Sequence, residues 1–180
     1  MNANEVLIDI LEDTRRRLYR FVMGVNDECF FWQPDPGANS IAVTIWHMGR
    51  LSDVFLTQQA KGEDSKNECW IANGWAKKIG YDPRGIGRDG WGSVNGYTAE
   101  EVKAIPRFSM ELLIEYIEDV YNAVKIFLEQ TSEKKLFEYG TGFEGRYTKY
   151  QIIQMAMLDN ARHLGEIFAI KAMYDRVGNP

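Results

Sequence analysis

The sequence predicts an all-α protein, a four-helix bundle with one long crossover connection between helices 2 and 3. Three observations predict it. Four segments place apolar residues at helical spacing. About forty-five residues separate the second segment from the third, the connectivity of a bundle with one long crossover. No repeat, low-complexity tract or second domain interrupts the chain, so residues 1–180 are expected to form one domain, long enough to bury a core.

The first helix is expected over 3–24, with a stripe of Leu7, Leu11, Thr14, Leu18 and Phe21. A polar connection follows from Asp27 to Ser40, broken by Pro34-Asp35-Pro36-Gly37. The second helix is expected over 40–60, N-capped by Asn39 or Ser40, with Val43, His47, Leu51 and Val54 on one face. In the crossover, a short helix near 66–79 precedes irregular chain, and Thr98-Ala99-Glu100-Glu101 reads as a capping box opening another. Its tryptophans, Trp70, Trp75 and Trp91, suggest a cover that packs down rather than a free linker. The third helix is expected over 109–130, capped by Ser109, with Leu113, Ile117, Val120, Val124 and Phe127 as its stripe. The stretch 131–147 reads as loop or small hairpin. The fourth helix spans 147–176, starting near Thr148 and ending at Gly178 and Pro180. Its buried face should hold Ile152, Ala156, Ile167, Ile170 and Tyr174.

A net charge of -5 and a pI near 5.2 give no basic stripe for nucleic acid. Arg15-Arg16-Arg17 follows Glu12-Asp13 on a helix and reads as a solvated face with local ion pairs. Cys29 and Cys69 lie forty residues apart with no CxxC, which fits the cytoplasm better than a disulfide framework. Glu5, Asp9 and Glu12 interrupt any secretory leader after Met1, and no stretch of about 18 apolar residues would span a membrane.

The chemistry concentrates on the two histidines. His47 lies in the inward stripe of helix 2. Asp159 and His163 stand one turn apart on the apolar face of helix 4, aligned with Ile152, Ala156 and Ile170. A buried carboxylate needs a partner. A simple Asp–His hydrogen bond would serve, and a histidine on an apolar stripe can be an ordinary core residue. A cation held by His47, Asp159 and His163 would account for all three together. Imidazole and carboxylate donors suit zinc, nickel, manganese or iron alike. Three protein ligands would leave positions open for water or substrate, the catalytic pattern.

Pro36-Gly37-Ala38-Asn39-Ser40-Ile41-Ala42, leading into Trp46-His47-Met48-Gly49-Arg50 and Asp53, resembles the second-helix motif of DinB/YfiT-like proteins. Leu158-Asp159-Asn160-Ala161-Arg162-His163-Leu164-Gly165-Glu166-Ile167 resembles their fourth-helix motif. The middle segment, from Asn73-Gly74-Trp75 through Gly96-Tyr97-Thr98 to Tyr116, is similar to the branch that includes mycothiol-transferase-like proteins. The resemblance covers most of residues 30–175. It implies a four-helix bundle, often a homodimer, with a three-ligand metal site in which His47 and His163 match two positions. Asp159 stands where many relatives have His, though that branch often has Asp. Glu166 stands where the motif usually has Gln. It is a candidate fourth ligand, a partner orienting a histidine, a general base, or a polar residue at the bundle mouth.

Other features carry less. Gly85-Ile86-Gly87-Arg88-Asp89-Gly90 matches GxGxxG, but no strand precedes it, so a loop covering the site is the better expectation. Trp46 reads as core, and Asp53 as a partner for a cap or an arginine. Arg50 and Arg162 read as surface ion pairs, or as contacts for an anionic substrate. The cysteines have no visible activating neighbour.

The resemblance implies a divalent metal ion, nickel or zinc first, and an enzyme using a low-molecular-weight thiol cosubstrate. The metal-activated thiolate would attack a small electrophilic molecule, with Glu166 as the catalytic proton acceptor. Two alternatives share the fold. One is metal-assisted hydrolysis by the same site. The other is a non-catalytic, stress-linked, ligand-binding or dimeric bundle.

Overall fold

Local signals start and stop most of the helices. The computed structural model describes residues 2–177. Helix α1 (Ala3–Val22) opens on a capping box between Asn2 and Glu5, and all five residues of its expected stripe are buried. The connection after it is less irregular than expected. The Asn26 side chain caps a five-residue helix, α2 (Asp27–Phe31), which buries Cys29 and Phe30. Helix α3 (Ile41–Val54) takes Ser40 as its N-cap and buries every residue except Val43. A helix apolar or neutral on nearly all sides belongs inside, and α3 is the centre of the molecule. It runs on as a π-helical turn, Phe55–Ala60.

The expected helix near 66–79 is two short ones, α4 (Cys69–Ala72) and α5 (Trp75–Ile79). Gly74 separates them at φ 80, a left-handed backbone that ends one helix and caps the next. The Thr98–Glu101 capping box opens α6 (Ala99–Lys103) as the sequence suggests. Trp70 is fully buried, with ring centroids 4.6 Å from Trp46 and 4.9 Å from Tyr116, so the crossover is indeed packed cover.

Helix α7 (Met110–Gln130) is capped by Ser109. Its stripe is as expected except that Leu128 is buried where Phe127 is half-buried. After a short α8 (Glu133–Leu136), a single antiparallel bridge between Tyr139 and Thr148 closes a minimal hairpin. Helix α9 (Lys149–Val177) buries Ile152, Ala156, Ile167 and Ile170, while Tyr174 is half-buried against Trp32. The stop signals expected at Gly178 and Pro180 lie outside the described residues.

Helices α1 and α3 each pack against both α7 and α9, which closes the four-helix bundle. Helices α3 and α7 approach closely at Gly49, where a Cβ would stand 2.8 Å from the Tyr116 ring. No described helix is long and apolar enough to cross a membrane.

A buried polar knot ties the crossover to the bundle. Arg50 is fully buried, not a surface residue, and its guanidinium donates to Glu68 at 2.8 Å, Asp53 at 3.4 Å and the Trp91 carbonyl at 3.0 Å. Asp53 also accepts from the amides of Cys69 (2.8 Å) and Trp70 (3.0 Å), and from the Tyr116 hydroxyl at 3.0 Å. It therefore caps α4 and pairs with an arginine at once. Burial pushes the Glu68 carboxyl up, and Arg50 pulls it back.

Candidate metal centre

The structure brings His47, Asp159 and His163 together. Helix α3 supplies the first and successive turns of α9 supply the others. One ligand atom from each lies within 4.8 Å of the other two. Asp159 Oδ2 is 3.0 Å from His47 Nε2 and 3.4 Å from His163 Nε2. The two imidazoles meet edge to face, 4.5 Å between centroids.

The outer nitrogens are already spoken for. His47 Nδ1 bonds the Ser93 carbonyl, and His163 Nδ1 bonds Glu166 Oε2 at 2.6 Å. A carbonyl and a carboxylate only accept, so both Nδ1 atoms carry the hydrogen. In neutral imidazoles, both Nε2 lone pairs then face the same carboxylate oxygen. Three lone pairs converging on one point repel unless protons or a cation lie between them. A bound metal's histidines characteristically donate their other ring N–H to a carbonyl or carboxylate, the pattern here. Two imidazoles and a carboxylate are a suitable donor set for zinc, nickel or iron. The residues present fit a divalent cation.

Without a cation, protons take up the same tension. Hydrogen bonding to Asp159 raises the His163 imidazole above its ordinary value against the opposing effect of burial, and Glu166 adds to the rise. Burial pushes the Asp159 carboxyl up, but the two imidazoles outweigh it and hold it well below the usual carboxylate range. Asp159 Oδ1 accepts from Arg162, which leaves Oδ2 for the centre. Arg162 thus makes an ion pair as expected, and its partner is the candidate ligand.

The crossover delivers the Ser93 carbonyl under strain. Val94 sits at φ 72, left-handed backbone that a β-branched residue rarely adopts. Gly92 is at φ 64 with no room for a Cβ, which would stand 2.4 Å from the Pro83 carbonyl oxygen. The GxGxxG stretch and its neighbours therefore form a cover over the site. A cavity of about 540 Å³ opens beside Asp159, walled by Phe55, Trp91, Phe143 and Met155. Burial raises both the Cys29 and Cys69 thiols, so neither is an activated nucleophile.

Around the centre and the buried knot, sequence reasoning missed Ser93 and Glu68. Ser93 acts through its backbone, which no side-chain pattern marks. Glu68 lies in the crossover, where nothing local announces a buried charge.

The fold and site together define a helical-bundle protein with a three-donor centre able to hold a divalent cation. The profile of the DinB superfamily matches residues 10–167, and the chain belongs to that superfamily. Among solved structures, a conserved protein from Enterococcus faecalis has the same fold, with a TM-score of 0.78 and 18% identity over 96% of this chain and 97% of that one. No curated protein matches the sequence significantly.

Proposed function

We propose that the protein is a divalent-metal-dependent transferase that joins a low-molecular-weight thiol to a small electrophilic molecule. The observation that carries the reading is the pairing of both Nδ1 atoms with acceptors, which aims two bare Nε2 atoms and one carboxylate oxygen at a single point. His47, Asp159 and His163 would hold the ion, nickel or zinc, and leave coordination positions open. A bound cation of this kind supplies Lewis acidity, which lowers the pKa of a thiol that reaches it.

The chain's own residues do the rest. Ser93 and Glu166 fix the histidine tautomers, and Arg162 orients Asp159. Glu166 is half-buried, with Oε1 3.5 Å from the Thr44 hydroxyl, and is the proton acceptor for the incoming thiol in this reading. Phe55, Trp91 and Phe143 give one side of the cavity an apolar wall. The raised thiols of Cys29 and Cys69 favour an external sulfur nucleophile over an internal one. The similarity of the middle segment to mycothiol-transferase-like proteins supports the same chemistry.

The test is an assay of metal-loaded protein with an electrophilic aryl halide, with and without added thiols. Thiol-dependent adduct formation that disappears in His163→Ala is expected. Turnover of ester substrates without thiol, with no adduct in its presence, would replace the reading by metal-assisted hydrolysis.

A further inference from the structure

The cavity beside the centre has two halves of different chemistry. Its inner wall is aromatic. The rings of Phe55, Trp91 and Phe143 meet near right angles, at centroid distances of 5.3 to 5.7 Å. They come from the π-helical turn, the crossover and the hairpin, three segments otherwise remote in the chain. Phe143 is held there at φ 51, in the left-handed region. Its amide donates to Gln59 Oε1 at 3.2 Å, which ties the strained turn to the π-helical segment. The wall is thus a surface assembled from three segments.

The rim is charged. Arg88, Asp89 and Arg162 line it together with Asp159. Arg162 is paired with Asp159, although three quarters of its side chain remains exposed. Arg88 is exposed, and among the described residues its guanidinium has neither ion pair nor hydrogen bond. Its backbone is fixed instead, by a hydrogen bond of 2.7 Å from its N–H to the Asn95 carbonyl. Asp89, also exposed, sits in left-handed backbone at φ 57 and is not paired with Arg88. Around the cavity Arg88 and Arg162 balance Asp89 and Asp159. Glu166, on His163, offsets one of the two charges of a divalent ion at the centre, and the other is left uncompensated.

We infer that this cavity takes an amphipathic carboxylate, a small molecule with an aromatic or alicyclic body against Phe55, Trp91 and Phe143 and an anionic group drawn to Arg88. The inference rests on the metal reading above, because the loaded centre makes the cavity electropositive. A neutral ligand would leave Arg88 unmatched. An organic cation would meet two guanidinium groups as well as the metal. Most of the discrimination should come from the rim, since the apolar wall accepts the same hydrocarbon whatever its head group.

The probes are 4-phenylbutyrate and 4-phenyl-1-butanol, which share a carbon skeleton, titrated calorimetrically into the zinc-loaded protein. Metal content is measured on the same samples. The carboxylate should bind about tenfold or more tightly than the alcohol, the worth of a charge-assisted contact. Arg88→Gln, an exposed substitution, should reduce that preference several-fold and leave alcohol binding and metal content unchanged. Phe143→Ala should weaken both probes alike. Chelator-stripped protein should bind the alcohol as before while the carboxylate preference shrinks. Equal affinities for the two probes in fully loaded protein would overturn the ligand class and leave the metal reading standing. So would an Arg88→Gln variant with undiminished preference. A protein that takes up no zinc overturns the metal reading itself, and elemental analysis shows that before any titration.

Discussion

Arg50 and His47 stand three residues apart on α3, yet they sit in opposite kinds of polar site. Around Arg50 the donors and acceptors close on one another. Its guanidinium meets Glu68, Asp53 and a carbonyl, and Asp53 satisfies two amides and a hydroxyl besides. Around His47 the outer bonds are closed but the inner ones are not. Two Nε2 atoms and a carboxylate oxygen converge on one point, where either protons or a cation must lie between them. Asp53 is fully buried, whereas Asp159 is half-buried and borders a cavity. A closed knot staples structure, and an open one is shaped for an added ion. Buried charge alone therefore does not mark function; unsatisfied, convergent charge beside a cavity does.

The largest expected effect comes from opening the closed knot. Asp53→Ala leaves Arg50 its pair with Glu68 but strips the acceptor from the Cys69 and Trp70 amides and the Tyr116 hydroxyl, and should cost about 3–5 kcal/mol of stability. For a chain of this size that lowers the melting temperature by roughly 10 °C, read by thermal or urea unfolding. A loss under about 1 kcal/mol would mean the knot does not hold the crossover. The corresponding cut in the open centre should behave differently. Saturating zinc should stabilise the wild-type protein by about 3 kcal/mol at a hundredfold excess over Kd. His47→Ala should show none of that gain, while its metal-free melting temperature stays near that of metal-free wild type. A metal-free variant as unstable as Asp53→Ala would make His47 another structural staple.

A smaller effect is expected from Glu166→Gln. The amide oxygen can still accept from His163 Nδ1 but carries no charge, so zinc affinity should fall about tenfold without being abolished. Unchanged affinity would remove Glu166 from the support of the centre.

The smallest effect is in pH. The raised His163 contributes stability to the metal-free protein that is fully present below its unfolded value near 6.5 and lost as pH rises through its higher folded value. The depressed Asp159 contributes stability present above its unfolded value near 3.9 and lost as pH falls through its folded value. Metal competes with the proton on His163, so the gain on adding zinc should grow from pH 6 to pH 8 while the metal-free melting temperature declines slightly. A zinc gain that shrinks over that interval would contradict proton competition at the imidazole.

The same contrast explains what was legible in the sequence. The long helices and the meeting of His47 with Asp159 and His163 depend on periodicity within helices, which sequence carries directly. Asp159 and His163 are one turn apart in any α-helix, and Leu113, Ile117, Val120 and Val124 mark one face without help from elsewhere. Arg50 was misplaced at the surface because arginine is rarely buried unless paired, and its partner Glu68 becomes available only once the crossover has folded. Asp53 was readable as a cap or arginine partner, and it is both. Ser93 was invisible because a carbonyl has no side-chain signature. The short helix α2 and the break at Gly74 were missed because five-residue helices fall below the length at which a stripe can be recognised.

Elemental analysis of the purified protein, dialysed against zinc and then freed of loose metal, bears most directly on the open centre. One equivalent per chain should remain in the wild type, and close to none in His47→Ala, Asp159→Ala and His163→Ala, all folded by circular dichroism. Metal content equal in the wild type and in these variants would mean that the three side chains do not hold a cation.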